Sequence, residues 1–247
     1  MTPPAVPSRL RSHRAAGSDS ESDLLFDVAP FRALTNRHAV IRKVSHPTLV
    51  LGSTQRVDTI NTERAAQVGV EVVRRRGGGG AVLLRPDDHL WIEAWIPRED
   101  PLWDADVAVA AGWVGAWWSA ALAARGAVQW VVHEGRAVPG KHGALVCFSG
   151  KGPGEVFTHD RKVMGVSQWR GKEGALFHTC AYTRWDPRPL VELLNVAGSS
   201  RGGLVEDLAG AAIGLNDLEL VDAELTVVGE ALLASFTDWA PGQSERR

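Results

Sequence analysis

Apolar positions along the chain fall into short runs broken by polar or glycine-rich segments, with one long exception. Residues 70–73, 81–84, 89–96 (HLWIEAWI), 128–133, 144–148, 155–158, 161–168 and 175–182 are short and rich in Val, Ile, Leu, Phe and Trp. Turn residues bound them, such as Pro86-Asp87-Asp88, Ser149 to Gly154, His159-Asp160 and residues 172–174. Runs of that length and composition read as strands. Residues 38–51 read as a strand pair or one long strand closed by Gly52. Helical segments are expected at 57–67, starting near Asn61 or Thr62 and stopped by Gly69. Others are expected at 187–195 with Pro187 in the first turn, at 203–213 and at 224–236. The long exception is residues 104–125, a helix that Asp104 can cap and Arg125-Gly126 can end. Val107 to Ala124 is uncharged for 18 residues, which touches the lower limit for a membrane span. The segment is rich in Ala and Gly and flanked by strands, so the better reading is a helix packed under a sheet. Trp113, Trp117 and Trp118 then belong to the core or to a pocket wall. The pattern implies an α/β (α+β) fold with one mixed sheet of at least five strands and the 104–125 helix buried against it.

Composition narrows the class. A chain of 247 residues, 45% hydrophobic and 23% charged, is ordinary globular protein with enough apolar surface for a sizeable core. A formal net charge of −2 argues against broad nucleic-acid binding, which needs a basic surface. Two cysteines, Cys147 and Cys180, suit a reducing, cytoplasmic setting better than a disulfide scaffold. No His/Cys cluster has the spacing of metal ligands, so no metal site is expected. Residues 1–22 are polar and Pro/Ser-rich without an apolar stretch, and read as a disordered tail rather than a secretory signal. Order is expected from about Leu24-Leu25-Phe26, with residues 23–240 forming a single domain. A lipid-embedded role is not expected.

Residues 71–84, EVVRRRGGGGAVLL, carry the most distinctive chemistry. Two apolar runs flank Arg74, Arg75, Arg76 and Gly77 to Gly80, a strand–turn–strand pattern. Glycines let the backbone approach a ligand, and successive N–H groups can form an anion-binding concavity to which guanidinium groups add donors. The stretch reads as a carboxylate or phosphate site, or as a hairpin tip carrying a solvated charge run. It is not a Walker loop, because no Gly-Lys-Ser/Thr follows. A second stretch, residues 155–182, places Lys162 at the start of a returning strand beside Val163. There it either points inward or lies on a surface hairpin.

Two runs together resemble the lipoate–protein ligase family, whose catalytic domain is related to biotin ligases. Arg74-Arg75 followed by Gly78-Gly79-Gly80-Ala81-Val82 is similar to that family's arginine–glycine loop. Asp160-Arg161-Lys162-Val163 with Gly165, Ser167, Gln168 and Arg170 is similar to its lysine motif, and Leu176 and His178 fall where the family continues. Glu155 stands where members carry an acidic residue. The resemblance covers roughly residues 38–195.

The resemblance implies a mixed α/β catalytic domain with an acyl chain in an apolar cleft. Arg74, Arg75, Gly78, Gly79, Gly80 and Ala81 would hold the carboxyl end and adenylate, and Lys162 would meet the acyl carbonyl. Glu155, Gly165, Ser167 and His178 would complete the binding surface. A preorganised ammonium aimed at developing negative charge suits that chemistry. The implied reaction is ATP-dependent: lipoate or octanoate is adenylated, with Mg2+, and moved to a lysine of a carrier. The implied carriers are the lipoyl domains of 2-oxoacid dehydrogenases or the glycine cleavage H protein. Cys147-Phe148 ahead of the lysine motif resembles octanoyl transferases of the same fold, in which the thiolate takes the acyl group without ATP. Leu83-Leu84 and Thr179-Cys180 depart from the family's usual histidine and Gly-Thr. Those departures leave open a third reading, an acyl-binding protein without catalysis. Arg75, the Gly78–Gly80 backbone and Lys162 are expected to line one largely apolar cleft.

Overall fold

The structure is a computed structural model that describes residues 27–241. The expected tail at 1–22 and the expected start at Leu24 to Phe26 lie outside the described residues. Nine strands are described: β1 (His38–Arg42), β2 (Thr48–Leu51), β3 (Glu71–Arg74), β4 (Val82–Leu84), β5 (His89–Pro97), β6 (Val131–Val132), β7 (Val156–Thr158), β8 (Arg161–Arg170) and β9 (Gly174–Tyr182). The described helices are α1 (Ala29–Arg32), α2 (Thr62–Gln67), α3 (Gly112–Ala123), α4 (Arg188–Glu192), α5 (Gly198–Ala209) and α6 (Leu225–Phe236). Among the described residues, no helix is long and apolar enough to cross a membrane.

The strands form two sheets, not one. A six-stranded sheet runs β1-β5-β9-β8-β7-β6, and every pairing in it is antiparallel. A three-stranded sheet runs β3-β2-β4, with β2 parallel to β3 and antiparallel to β4. The mixed pairing therefore lies in the small sheet. Residues 38–51 supply one strand to each. Residues 71–84 are not a hairpin: β3 and β4 lie on opposite sides of β2, so the arginine–glycine loop has to cross the end of β2. The cause is α2, which returns the chain parallel to β2 and uses up the β3 edge. Asn61 caps α2 by accepting the Arg64 N–H at 2.9 Å.

Side-chain alternation decides what each face of the large sheet meets. Leu90, Ile92, Ala94 and Ile96 of β5 and Ala175, Phe177 and Ala181 of β9 pack against Trp113, Val114, Trp117, Trp118 and Leu122 of α3. Val228, Leu232 and Phe236 of α6 join them. Burying one such side chain is worth roughly 1.5–3 kcal/mol relative to exposure, so this layer is one of the two large parts of the core. Helix α3 is shorter than the sequence pattern implies. The Asp104 and Asp106 carboxylates accept the N–H groups of Asp106 and Ala108 at 2.7 and 2.8 Å. Such local turns compete with helix, so α3 begins only after Ala111, with no side-chain cap.

The opposite face of the large sheet carries Trp91, Cys180 and Tyr182, which share one cluster with Leu49, Leu51, Val82 and Leu84 of the small sheet. The 144–148 segment makes only a single parallel bridge, Ala81 to Val146. It then turns through a tight 3-10 turn, Cys147–Ser149. Of the expected strand at 128–133, only Val131–Val132 pairs, with β7.

Candidate active site

The two sequence runs meet at Cys147. From the first run, Arg75 is 1% exposed. Its Nη2 donates to the Gly78 and Gly80 carbonyls at 2.6 and 3.0 Å and lies 3.9 Å from the Cys147 sulfur. The guanidinium thus gathers the glycine loop around itself. Gly79 sits at φ +100°, a conformation that L side chains rarely adopt. Gly80 is needed for close approach, because a Cβ there would stand 2.6 Å from the Val146 nitrogen. That approach lets Ala81 zip against the cysteine segment: Ala81 N–H donates to Leu145 O at 2.8 Å, and Cys147 N–H to Ala81 O at 3.1 Å. Gly78 and Gly79 remain at the exposed tip of the loop.

From the second run, Lys162 is the second residue of β8, its backbone clamped between Ala211 O and the Ile213 N–H. Its side chain points inward and is 1% exposed. The ammonium donates to the Cys147 carbonyl at 2.8 Å and pairs with Glu155 at 2.7 Å. It also lies 5.4 Å from the centre of the Phe148 ring. Glu155 in turn accepts the Gly152 N–H at 2.6 Å. Burial pushes the Glu155 carboxyl above its ordinary value, against the pull of Lys162. Gly165 lies beneath Phe148, where a Cβ would meet the ring at 3.4 Å. Phe148 stacks on Trp185 and meets Tyr182 edge-on, roofing the lysine. Cys147 itself is partly exposed.

Arg74 has a different place. Its Nη1 holds the carbonyls of Gly52, Ser53 and Gln55 at 2.5, 3.2 and 2.7 Å, which fixes the segment after β2. Ser167 and His178 face each other across β8 and β9, on the side that the glycine loop covers. Ser167 Oγ is buried without a hydrogen-bond partner, as is Arg75 Nε. The register continues from His178 to Glu93 of β5, whose carboxylate takes Arg42 at 2.8 Å and lies 3.6 Å from His178 Nε2. Burial holds the His178 imidazole down at about 3, helped by Arg75 and Arg42. Burial also pushes the Glu93 carboxyl up to about 7 against the pull of Arg42. Cys180, fully buried, has its thiol raised well above the ordinary range by desolvation, which leaves it inert packing.

Sequence reasoning did not single out Glu93 or Arg42, and it named Phe148 only as the neighbour of Cys147, not as the ring over Lys162. An acid in the middle of HLWIEAWI was the available signal for Glu93, because a lone charge in an apolar strand needs a buried partner. Nothing in the spacing marked Arg42. Among the described residues, no group of three or more His, Cys, Asp or Glu side chains could hold a metal ion.

The site combines a thiol, a buried guanidinium beside its sulfur, a buried ammonium on the carbonyl of the same residue, and a glycine loop closed over the guanidinium. Such a set can hold an acyl group and stabilise negative charge on its carbonyl oxygen. Comparison with known proteins points the same way. The family model of the lipoyl protein ligase A/B catalytic domain matches residues 31–237. A bipartite lipoate protein ligase from Thermoplasma acidophilum, described with its E2 lipoyl domain, superposes with a TM-score of 0.70 at 18% identity, covering 88% of this chain and 78% of that one. A putative lipoate protein ligase from T. acidophilum with bound lipoic acid gives 0.64 at 19% identity over 88% and 79%. A lipoate-protein ligase A bound with ATP gives 0.58 at 17% identity, again over 88% and 79%. At these identities the structural likeness is one of fold. Comparison with curated protein sequences gives no match.

Proposed function

This chain belongs to the lipoyl protein ligase A/B catalytic-domain family, a family of enzymes, and we propose that it passes a medium-chain acyl group to a lysine of a lipoyl carrier domain, with Cys147 holding the group between two half-reactions. Residues 23–240 act as one catalytic domain in this reading. The observation that carries it is the position of the Cys147 sulfur, 3.9 Å from Arg75 Nη2, on a turn whose carbonyl is held by Lys162. A structural cysteine needs no cation beside it.

The chemistry follows from that placement. The Cys147 thiol gives up its proton as its sulfur bonds to the carbonyl carbon of an acyl thioester, the carbon–sulfur bond to the donor breaks, and the donor leaves as a thiol carrying that proton. Arg75 places fixed positive charge beside the sulfur, and Lys162 and the Gly78–Gly79 backbone offer donors for the carbonyl oxygen. A lysine amine of the carrier then attacks the enzyme thioester, forming an amide and releasing Cys147. Octanoate and lipoate are the acyl groups that the family resemblance favours. A carrier such as the E2 lipoyl domain described with the T. acidophilum relative is the acceptor.

The adenylating ligase is the other route considered for this family, and one relative is described with ATP bound. Here the two guanidinium groups expected to clamp phosphate are spent on the chain's own carbonyls: Arg74 on Gly52, Ser53 and Gln55, and Arg75 on Gly78 and Gly80. That use of both guanidinium groups supports the thioester route over adenylation.

The test is to incubate the protein with a lipoyl domain and either octanoyl-N-acetylcysteamine without ATP or free lipoate with ATP and Mg2+. Mass spectrometry of the acceptor lysine reads the result. The proposal expects acylation from the thioester alone. Acylation only from free acid with ATP would replace it with the ligase reading, and acylation from neither would leave an acyl-binding protein.

A further inference from the structure

The turn that follows β2, Gly52 to Gln55, touches both loops of the site. Its chain is held by Arg74, whose Nη1 takes the carbonyls of Gly52, Ser53 and Gln55. Toward the glycine loop, the Ser53 N–H donates to Gly77 O at 2.9 Å, and a Cβ on Gly52 would stand 1.8 Å from Gly79 O. Toward the cysteine loop, Gln55 Nε2 donates to Leu145 O at 3.1 Å. Gln55 belongs to neither sequence motif, and the acyl chemistry above gives it no part.

The Gln55 side chain is buried, 7% exposed, and a buried amide needs partners at both ends. Its Nε2 also donates to Thr59 Oγ1 at 3.3 Å, and its Oε1 accepts the Gly52 N–H at 3.4 Å. The amide can face only one way. Leu145 O only accepts and the Gly52 N–H only donates, so a flipped amide would set like against like at both ends. Leu145 O also takes the Ala81 N–H at 2.8 Å, and the Cys147 N–H returns to Ala81 O at 3.1 Å. The chain entering the Cys147 turn is thus fixed twice, by Ala81 and by Gln55. The Arg75 guanidinium is fixed by the Gly78 and Gly80 carbonyls of the glycine loop, which the same Gly52–Gln55 turn touches. The 3.9 Å between Arg75 Nη2 and the Cys147 sulfur therefore depends on one shared turn.

We propose that Gln55 is a positioning residue for Cys147: its amide ties the chain before the thiol to the turn that also meets the glycine loop, and so keeps the sulfur beside Arg75. The inference rests on the acyl-transfer reading above. Gln55 touches no reacting atom and acts only through the Leu145 carbonyl, two residues before the nucleophile. A displacement of about 1 Å from productive geometry costs on the order of 10² in rate, so a tie at that distance matters to the chemistry. Arg74 acts with it, because its bond to the Gln55 carbonyl at 2.7 Å fixes the backbone from which the amide reaches out.

Gln55→Glu tests this. The substitution keeps the shape and the acceptor toward Gly52, and it makes the donor toward Leu145 O depend on a proton. A protonated carboxyl can donate to that carbonyl and a carboxylate cannot. Wild type, Gln55→Glu and Gln55→Met are loaded with octanoyl-N-acetylcysteamine without ATP from about pH 5 to about pH 8, a range in which a buried carboxyl titrates. Intact mass reads loading at saturating and at limiting thioester, and urea unfolding at each pH gives the folded fraction. Gln55→Glu is expected to load nearly like wild type at the acid end and to fall behind by about 10²-fold at the alkaline end. Gln55→Met, of similar length without a donor, is expected to lag by one constant factor throughout. In both, the saturating rate falls while the half-saturating thioester concentration holds. A ratio of Gln55→Glu to wild type that does not change with pH overturns the inference, as does a lag that vanishes once rates are divided by the folded fraction. Gln55→Met that loads like wild type overturns it even where Gln55→Glu does not fold. Folded wild type that takes no octanoyl group overturns the acyl-transfer reading itself, and the positioning role with it.

Discussion

Glu93 and His178 should cancel each other's effect on acid stability, and removing either should reveal the other. Both are fully buried on adjacent strands. Glu93 moves from an ordinary 4.5 up to about 7, chiefly by desolvation opposed by Arg42. His178 moves from 6.5 down to about 3, chiefly by desolvation, with Arg75 and Arg42 adding to it. A carboxyl whose folded pKa is raised stabilises the fold below its unfolded pKa, and that stability is lost as pH rises through the folded value. An imidazole whose folded pKa is lowered does the reverse: its contribution is present above the unfolded pKa and is lost as pH falls toward the folded value. Between about pH 4.5 and 6.5 the folded pair holds one proton, on Glu93, and the unfolded pair also holds one, on His178. Their slopes cancel. In His178→Gln, stability should fall as pH rises across that window by about 1.4 kcal/mol per unit, roughly 3 kcal/mol in all. In Glu93→Gln it should rise with pH by the same slope. Urea unfolding at half-unit steps, with each variant compared with wild type, isolates these slopes from groups common to all three and from any constant loss of the Arg42 pair. Two variants whose difference curves are both flat, or slope the same way, would refute the reasoning.

Three further outcomes follow from the geometry. Gly80→Ala, which drives a Cβ to 2.6 Å from Val146 N, should cost about 1–3 kcal/mol by overpacking, whereas Gly78→Ala, with nothing within 4 Å, should stay within about 0.5 kcal/mol; denaturant midpoints compare them. Glu155→Gln should destabilise by about 3–5 kcal/mol by stranding the Lys162 ammonium, and adding Lys162→Met should recover part of that loss in the same assay. Tyr182→Phe, which deletes the buried hydroxyl bond to Leu83 O at 2.9 Å, should cost about 1 kcal/mol, again read by unfolding.

Much of the strand content was legible, because β5, β8 and β9 have composition and turn signals that act locally. The partition into two sheets was not. Residues 71–84 look like a hairpin in sequence, and only the α2 crossover, which makes β2 and β3 parallel, forces β4 to the other side of β2. Helix α3 was legible in its apolar body but not in its start, since Asp104 and Asp106 cap turns rather than the helix. The motif residues were legible by chemistry: Lys162, Glu155 and Arg75 do lie around one point. The character of that point was not. Arg75 is turned onto its own loop, and Cys147, which the apolar pattern put at the end of a buried strand, sits on a tight turn and is only partly buried. The bond from Gln55 to Leu145 joins residues far apart in the chain, and no local pattern could announce it.

The central claim is that Cys147 carries the acyl group. Mixing the protein with octanoyl-N-acetylcysteamine in the absence of ATP, quenching in acid and mapping peptides by mass tests it most directly. The account predicts one octanoyl group on the peptide containing Cys147, labile to hydroxylamine and absent in Cys147→Ser. Carrier acylation that proceeds undiminished in Cys147→Ser, with no thioester trapped on the wild type, would contradict it.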